Sequence, residues 1–188
     1  DLNDSETANA AKRKITIPAQ FNEFCDALYY GEDIDDMVDM DALARFILAN
    51  DLSLNQELGH PKSIFLFKEN EEDSNSKYKF GPIWDFDWGY GYESGHSYCE
   101  YGIESSMFNY SMSDEPGYRF FSDLLNVESF RKHYYKVWNE FLENNSMDEL
   151  MEYIDSYYTF AKSSFDNNRN APYDGYGFTE SDRDRHKN

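Results

Sequence analysis

Only two cysteines, Cys25 and Cys99, occur in the 188 residues, and neither belongs to a CxxC pair or a Cys/His cluster. That scarcity argues against a zinc site, and it leaves one disulfide or two free thiols equally open. No apolar run reaches the roughly 18 residues that a membrane span requires. Positive charge is also scarce: 17 Lys and Arg face 37 Asp and Glu, for a net charge of −20. Phosphate backbones and anionic membranes repel such a chain, which argues against nucleic acid as a partner. The acidity fits a soluble protein, and equally one that meets cations. There is no initial methionine and no visible signal peptide, so the chain reads as a fragment or a processed product.

Aromatic residues are abundant instead, with 16 Tyr and 15 Phe in 18% of the chain. That is too many for a disordered segment. The length suits one domain or one large lobe, able to bury roughly 70% of its unfolded surface.

Residues 1–14 are polar and read as loose. From Ile17, the residues Phe21, Phe24, Cys25 and Leu28 fall at helical spacing, and Gly31 is a stop. A second helix is expected from about Asp41 to Leu54, with Leu43, Phe46, Ile47 and Asn50 on one face. Gly59 and Pro61 then demand a loop. The stretch "SIFLFKEN" reads as a strand, "EEDSNS" as a hairpin turn, and "KYKFGPIWDFDW" as the returning strand. Residues 88–118 read as a long loop, functional or surface in character. Three apolar-periodic segments from Gly117 to Asn170 read as helices, the last opening with Ser146 and Glu149 in capping-box spacing. The fold class is therefore α+β, mostly helical.

The returning strand poses a chemical question. Asp85 and Asp87 are two apart, so on a strand they share one face. Trp84, Phe86 and Trp88 surround them, which suggests a cleft. Two carboxylates so close repel, and a divalent cation or a proton relieves the repulsion. Magnesium suits such a pair, because it takes one or two carboxylates and completes its shell with waters and phosphate oxygens. Each acid could instead cap loop amides. Upstream, "NQELGHPKS" brings Asn55, Glu57, His60, Lys62 and Ser63 into one loop. Plain alternatives exist for each: Asn55 ending the helix in a left-handed conformation, Glu57 and Lys62 solvated, Ser63 opening the strand, His60 in a turn before Pro61. His96 and His133 have no ligand partners at sensible spacing.

The order of loop, strand, turn, strand and acids matches the catalytic half of a protein kinase. On "ALARFILANDLSLNQELGHPKSIFLFKEN" and "KYKFGPIWDFDWGYGY" the chain resembles the CotH (spore coat protein H) kinase family, with Trp84–Asp87 as the W-D-x-D motif. The resemblance covers about residues 39–92 well, and "NNRN" near Arg169 loosely. It implies an atypical kinase C-lobe whose β-hairpin carries the metal-site acids, and phosphorylation of Ser or Thr on a protein substrate. It implies ATP and Mg²⁺ or Mn²⁺ as cofactors, metal binding by Asp85 and Asp87, and catalytic roles for Glu57 and Asn55. Lys62 and Ser63 become candidates for holding the cofactor. It also implies a bacterial protein of the cell surface or exterior. Glu57 stands where the family has an aspartate, one methylene shorter; a displacement of about 1 Å can cost on the order of 100-fold in rate. Neither a glycine-rich nucleotide loop nor a strand lysine precedes the matching region, so an N-terminal lobe is expected outside this chain. The expected division is a polar segment with a helix (1–38), the kinase-like lobe (39–170) and a mobile polar tail (171–188).

Two other readings fit the same residues. One is an inactive kinase-like secreted module that binds divalent cations or glycans through its aromatic loop. The other is a carboxylate-pair hydrolase, for which Asp85 and Asp87 are poorly placed to flank a glycosidic bond.

Overall fold

The computed structural model describes residues 4–55, 58, 59, 61–70, 73, 75–86, 89, 116–170, 180, 181 and 184, with side chains from residue 10 onward. Helix α1 runs over Asp4–Tyr30 and α2 over Met40–Leu52. A two-stranded antiparallel sheet follows, β1 (Leu66–Phe67) and β2 (Lys79–Phe80), paired Leu66 to Phe80 and Phe67 to Lys79. Helix α3 (Pro116–Asp123) passes through a 3₁₀ turn at Leu124–Asn126 into α4 (Glu128–Glu143), and α5 (Ser146–Arg169) completes the described fold. The mostly helical α+β class expected from sequence is what forms. Among the described residues no helix is long and apolar enough to cross a membrane.

Residues 4–14 are helical rather than loose. Polarity misleads there, because Ala, Glu, Lys and Arg are strong helix formers whatever their exposure. Among the described side chains of α1, Phe24, Ala27 and Leu28 of the far half are buried, whereas Ile15 and Ile17 face solvent. Gly31 ends the helix at φ +67°, as its position in the sequence suggests.

Helix α2 starts where Asp39 accepts the Ala42 amide N–H at 3.1 Å, an N-cap. Its apolar face buries Leu43, Phe46 and Ile47, and the helix packs chiefly on α4, whose buried residues are Phe130, Tyr134 and Val137. Short as it is, the hairpin is anchored at both ends of its second strand. The Tyr78 amide donates to the Met37 carbonyl at 2.7 Å and the Asp39 amide to the Tyr78 carbonyl at 2.8 Å. Phe80 meets Phe46 and Phe121 with ring centroids 5.6 and 6.1 Å apart, so α2, the sheet and α3 share one aromatic core. Phe24 joins it from α1 through Tyr78, at 5.7 Å.

Two expectations need correction. The returning strand ends at Phe80, because the chain turns at Gly81 (φ +129°) and a cis Gly81–Pro82 bond follows. Proline has no N–H to give a ladder. Nor does Ser146 cap α5: Asn145 occupies that position at φ +59°, without a side-chain cap bond. A two-residue reversal from α4 demands a left-handed residue, and asparagine tolerates that conformation.

Candidate functional site

The site is built where α2 runs out. Leu54 takes a left-handed conformation, φ +50°. The Leu54 amide donates to the Asp51 carbonyl at 3.2 Å and the Asn55 amide to the Asn50 carbonyl at 3.0 Å. This is a Schellman closure with leucine where glycine is usual. The sequence assigned that conformation to Asn55; it belongs to the residue before. A leucine held left-handed costs about 1–2 kcal/mol and persists only where its surroundings insist.

Buried polar side chains supply that insistence. Asn50 lies on the apolar face of α2, only 1% exposed. Its Nδ2 donates to the Phe46 carbonyl at 2.8 Å, and its Oδ1 accepts Asn55 Nδ2 at 2.9 Å. Ser53 Oγ donates to the Asn50 carbonyl at 3.2 Å. From α4, Tyr134 Oη donates to Asp51 Oδ2 at 2.9 Å. Burial, and then the Asp51 charge, push the Tyr134 hydroxyl well above its ordinary pKa.

The loop is gripped again at Leu58, fully buried, and Gly59. The Gly117 amide of α3 donates to the Gly59 carbonyl at 3.2 Å. A Cβ on Gly117 would fall 1.8 Å from the Leu58 carbonyl oxygen, so only glycine permits this approach.

Asp85 lies five residues beyond β2 and not on it, at φ +61°. The shared-face argument, which needs Asp85 on the strand, therefore does not apply, and the hairpin leads to Asp85 without carrying it. The aromatic enclosure is also absent on the described side: Trp84 is 61% exposed and Asp85 is exposed. What holds Asp85 is Ser63, whose Oγ donates to Asp85 Oδ2 at 2.8 Å. Four residues on, a Cβ on Gly89 would lie 3.4 Å from the Ser53 carbonyl oxygen, so Gly89 lies close against the end of α2.

Of the residues singled out in the sequence, Ser63 and Asp85 are bonded to each other, and Asn55 is bonded to Asn50 at the end of α2. Lys62, beside Ser63, is exposed. Glu57, His60 and Asp87 lie outside the described residues, as do Cys99 and nearly all of 88–115; Cys25 is a free, half-buried thiol. Arg169 stands away, at the end of α5, 3.4 Å from Asp166. Among the described residues no group of three His, Cys, Asp or Glu is placed to hold a metal ion. Magnesium on a nucleotide needs no such cage, since phosphate oxygens and water fill most of its shell. An exposed carboxylate steadied by one hydroxyl has the hard-oxygen chemistry it takes. Sequence reasoning missed Asn50 as a site element, though a polar residue on a buried helix face always needs a partner.

The loop after α2 and the chain beyond the hairpin meet at the Ser63–Asp85 bond. The CotH kinase protein family matches residues 6–183, and the chain belongs to that family. No curated protein and no solved structure matches it.

Proposed function

We propose that the chain is the catalytic-loop and metal-binding lobe of an ATP- and Mg²⁺-dependent protein Ser/Thr phosphotransferase of the CotH type. The supporting observation is the meeting of two segments far apart in sequence: Ser63 bonds Asp85, and Gly89 packs on Ser53. Family membership supplies the kinase character.

Asp85, with Asp87 near it in sequence, would hold Mg²⁺ beside the nucleotide. The ion, when bound, neutralises phosphate charge and polarises the γ-phosphoryl group. Ser63 orients the Asp85 carboxylate. Lys62 is free to swing toward a phosphate. The Glu57 carboxylate accepts the proton of the substrate hydroxyl as its oxygen bonds the γ-phosphorus and the bond to the β,γ-bridging oxygen breaks, releasing ADP. Asn55 fixes the loop on which Glu57 sits two residues later. Positioning and charge neutralisation carry most of the rate.

The test is transfer of label from γ-labelled ATP to a Ser/Thr-rich protein, with Glu57→Gln and Asp85→Asn as controls. Mg²⁺-dependent transfer that both substitutions abolish is the expected result. No transfer, with Ca²⁺ bound in the absence of nucleotide, would overturn the reading in favour of the inactive cation-binding module.

A further inference from the structure

Two glycines join the loop after α2 to the first turn of α3, each set against the other's element. A Cβ on Gly59 would fall 2.6 Å from Tyr118 Cε2 and 2.7 Å from Tyr118 Cζ. A Cβ on Gly117 would fall 1.8 Å from the Leu58 carbonyl oxygen and 2.7 Å from that of Gly59. Carbon atoms in good contact stand about 3.5–4.0 Å apart, so neither position has room for a methyl group. Neither glycine is in the left-handed region, so each supplies space and not backbone freedom. The Tyr118 ring has little liberty to swing aside, because it is only 9% exposed and belongs to the core. The Gly117 amide closes the joint with its 3.2 Å bond to the Gly59 carbonyl, and the buried Leu58 side chain anchors the same stretch in the core. Glu57 is bonded to Leu58, one Cα–Cα step of about 3.8 Å away. Whatever fixes Leu58 and Gly59 therefore limits where Glu57 can stand.

We infer that the first turn of α3 is a positioning element: Gly117 and Tyr118 hold Leu58 and Gly59, and through them set the place of the Glu57 carboxylate. This rests on the proposed phosphotransferase reading, in which Glu57 is the base, and adds to it two positioning residues that act through Glu57. A catalytic group displaced by about 1 Å can cost on the order of 100-fold in rate.

The experiment is a double-substitution cycle on the full chain: wild type, Gly59→Ala, Tyr118→Leu and both together, each checked as folded by circular dichroism. Phosphate transfer from γ-labelled ATP gives kcat and KM. Gly59→Ala is expected to lower kcat by about 10- to 100-fold with KM for ATP near the wild-type value, since the base moves and the nucleotide site does not. Leucine lacks the outer ring atoms that the new methyl group would strike, so the pair is expected to recover most of that loss. Wild-type kcat in Gly59→Ala, or losses that simply add in the pair, would overturn the inference. Should a single variant not fold, the pair is still expected to fold and turn over, and a pair that does neither would overturn it too. If wild type transfers no phosphate, the functional reading fails alone, and backbone ¹⁵N relaxation tests the clamp without nucleotide. The Leu58 and Gly59 amides are expected to be rigid in wild type, with order parameters near ~0.85, to loosen toward ~0.6 in each single variant, and to stiffen again in the pair. Mobile wild-type amides, or rigidity that the single substitutions leave unchanged, would count against the inference.

Discussion

Gly117 illustrates how much of the site depends on single atoms. Hydrogen is the only substituent that fits there, since a Cβ would lie 1.8 Å from the Leu58 carbonyl oxygen. Gly117→Ala must push α3 off the loop, at a cost of about 1–3 kcal/mol by the usual scale of overpacking, seen in urea unfolding. Ser63→Ala frees the Asp85 carboxylate and is expected to weaken Mg²⁺–ATP roughly 10-fold while leaving unfolding nearly unchanged; titration calorimetry reads the first and thermal unfolding the second. Tyr134 gives a pH signature. Its folded-state pKa is raised, so its contribution is complete below the unfolded value near 10 and is lost as pH rises beyond it. Tyr78, raised by burial, acts in the same direction. Alkaline unfolding should therefore begin above about pH 10 and shift upward in Tyr134→Phe, a variant about 1 kcal/mol less stable at neutral pH. Residue by residue, the sequence singled out Ser63 and Asp85, and the fold brings these two side chains into contact. It could not reveal the left-handed Leu54 and Asp85, because such strain is imposed by packing and leaves no mark in residue type.

At the scale of elements, legibility tracked burial. α2 could be read almost to the residue, since Leu43, Phe46, Ile47 and Asn50 repeat at helical spacing and are all buried. The first turns of α1 could not: residues 10–15 are exposed, and periodicity is a record of contact. The hairpin was overextended for the opposite reason: its apolar residues run past Phe80 while Gly81 and Pro82 break the ladder. Helix α5 is the least secured element. Of its 24 residues only Tyr158 is buried. Tyr153, Tyr157 and Phe160 form an exposed ladder with centroids 5.9 and 6.4 Å apart. Few buried contacts mean low local stability. Amides of α5 are expected to exchange with deuterium well before those of α2 and α4; equal protection would mean that α5 is held by more than the packing described above.

For the molecule as a whole, −20 charges on 188 residues repel one another. Ion pairs among the described residues lie at the surface, such as Arg45 with Glu140 at 3.0 Å, and contribute little. Raising NaCl from ~10 to ~150 mM shortens the screening length from ~30 to ~8 Å and should raise Tm by a few degrees. The same field draws divalent cations toward the protein, so general attraction must be separated from a site. Titration of Mg²⁺–ATP, and of Mg²⁺ alone, into wild type and Asp85→Asn makes that separation, because one substitution changes the net charge only from −20 to −19. The account expects saturable nucleotide binding in wild type that disappears in Asp85→Asn, with the fold intact. Equal binding by both proteins would contradict it, and would reduce Asp85 to a loop residue held in place by Ser63.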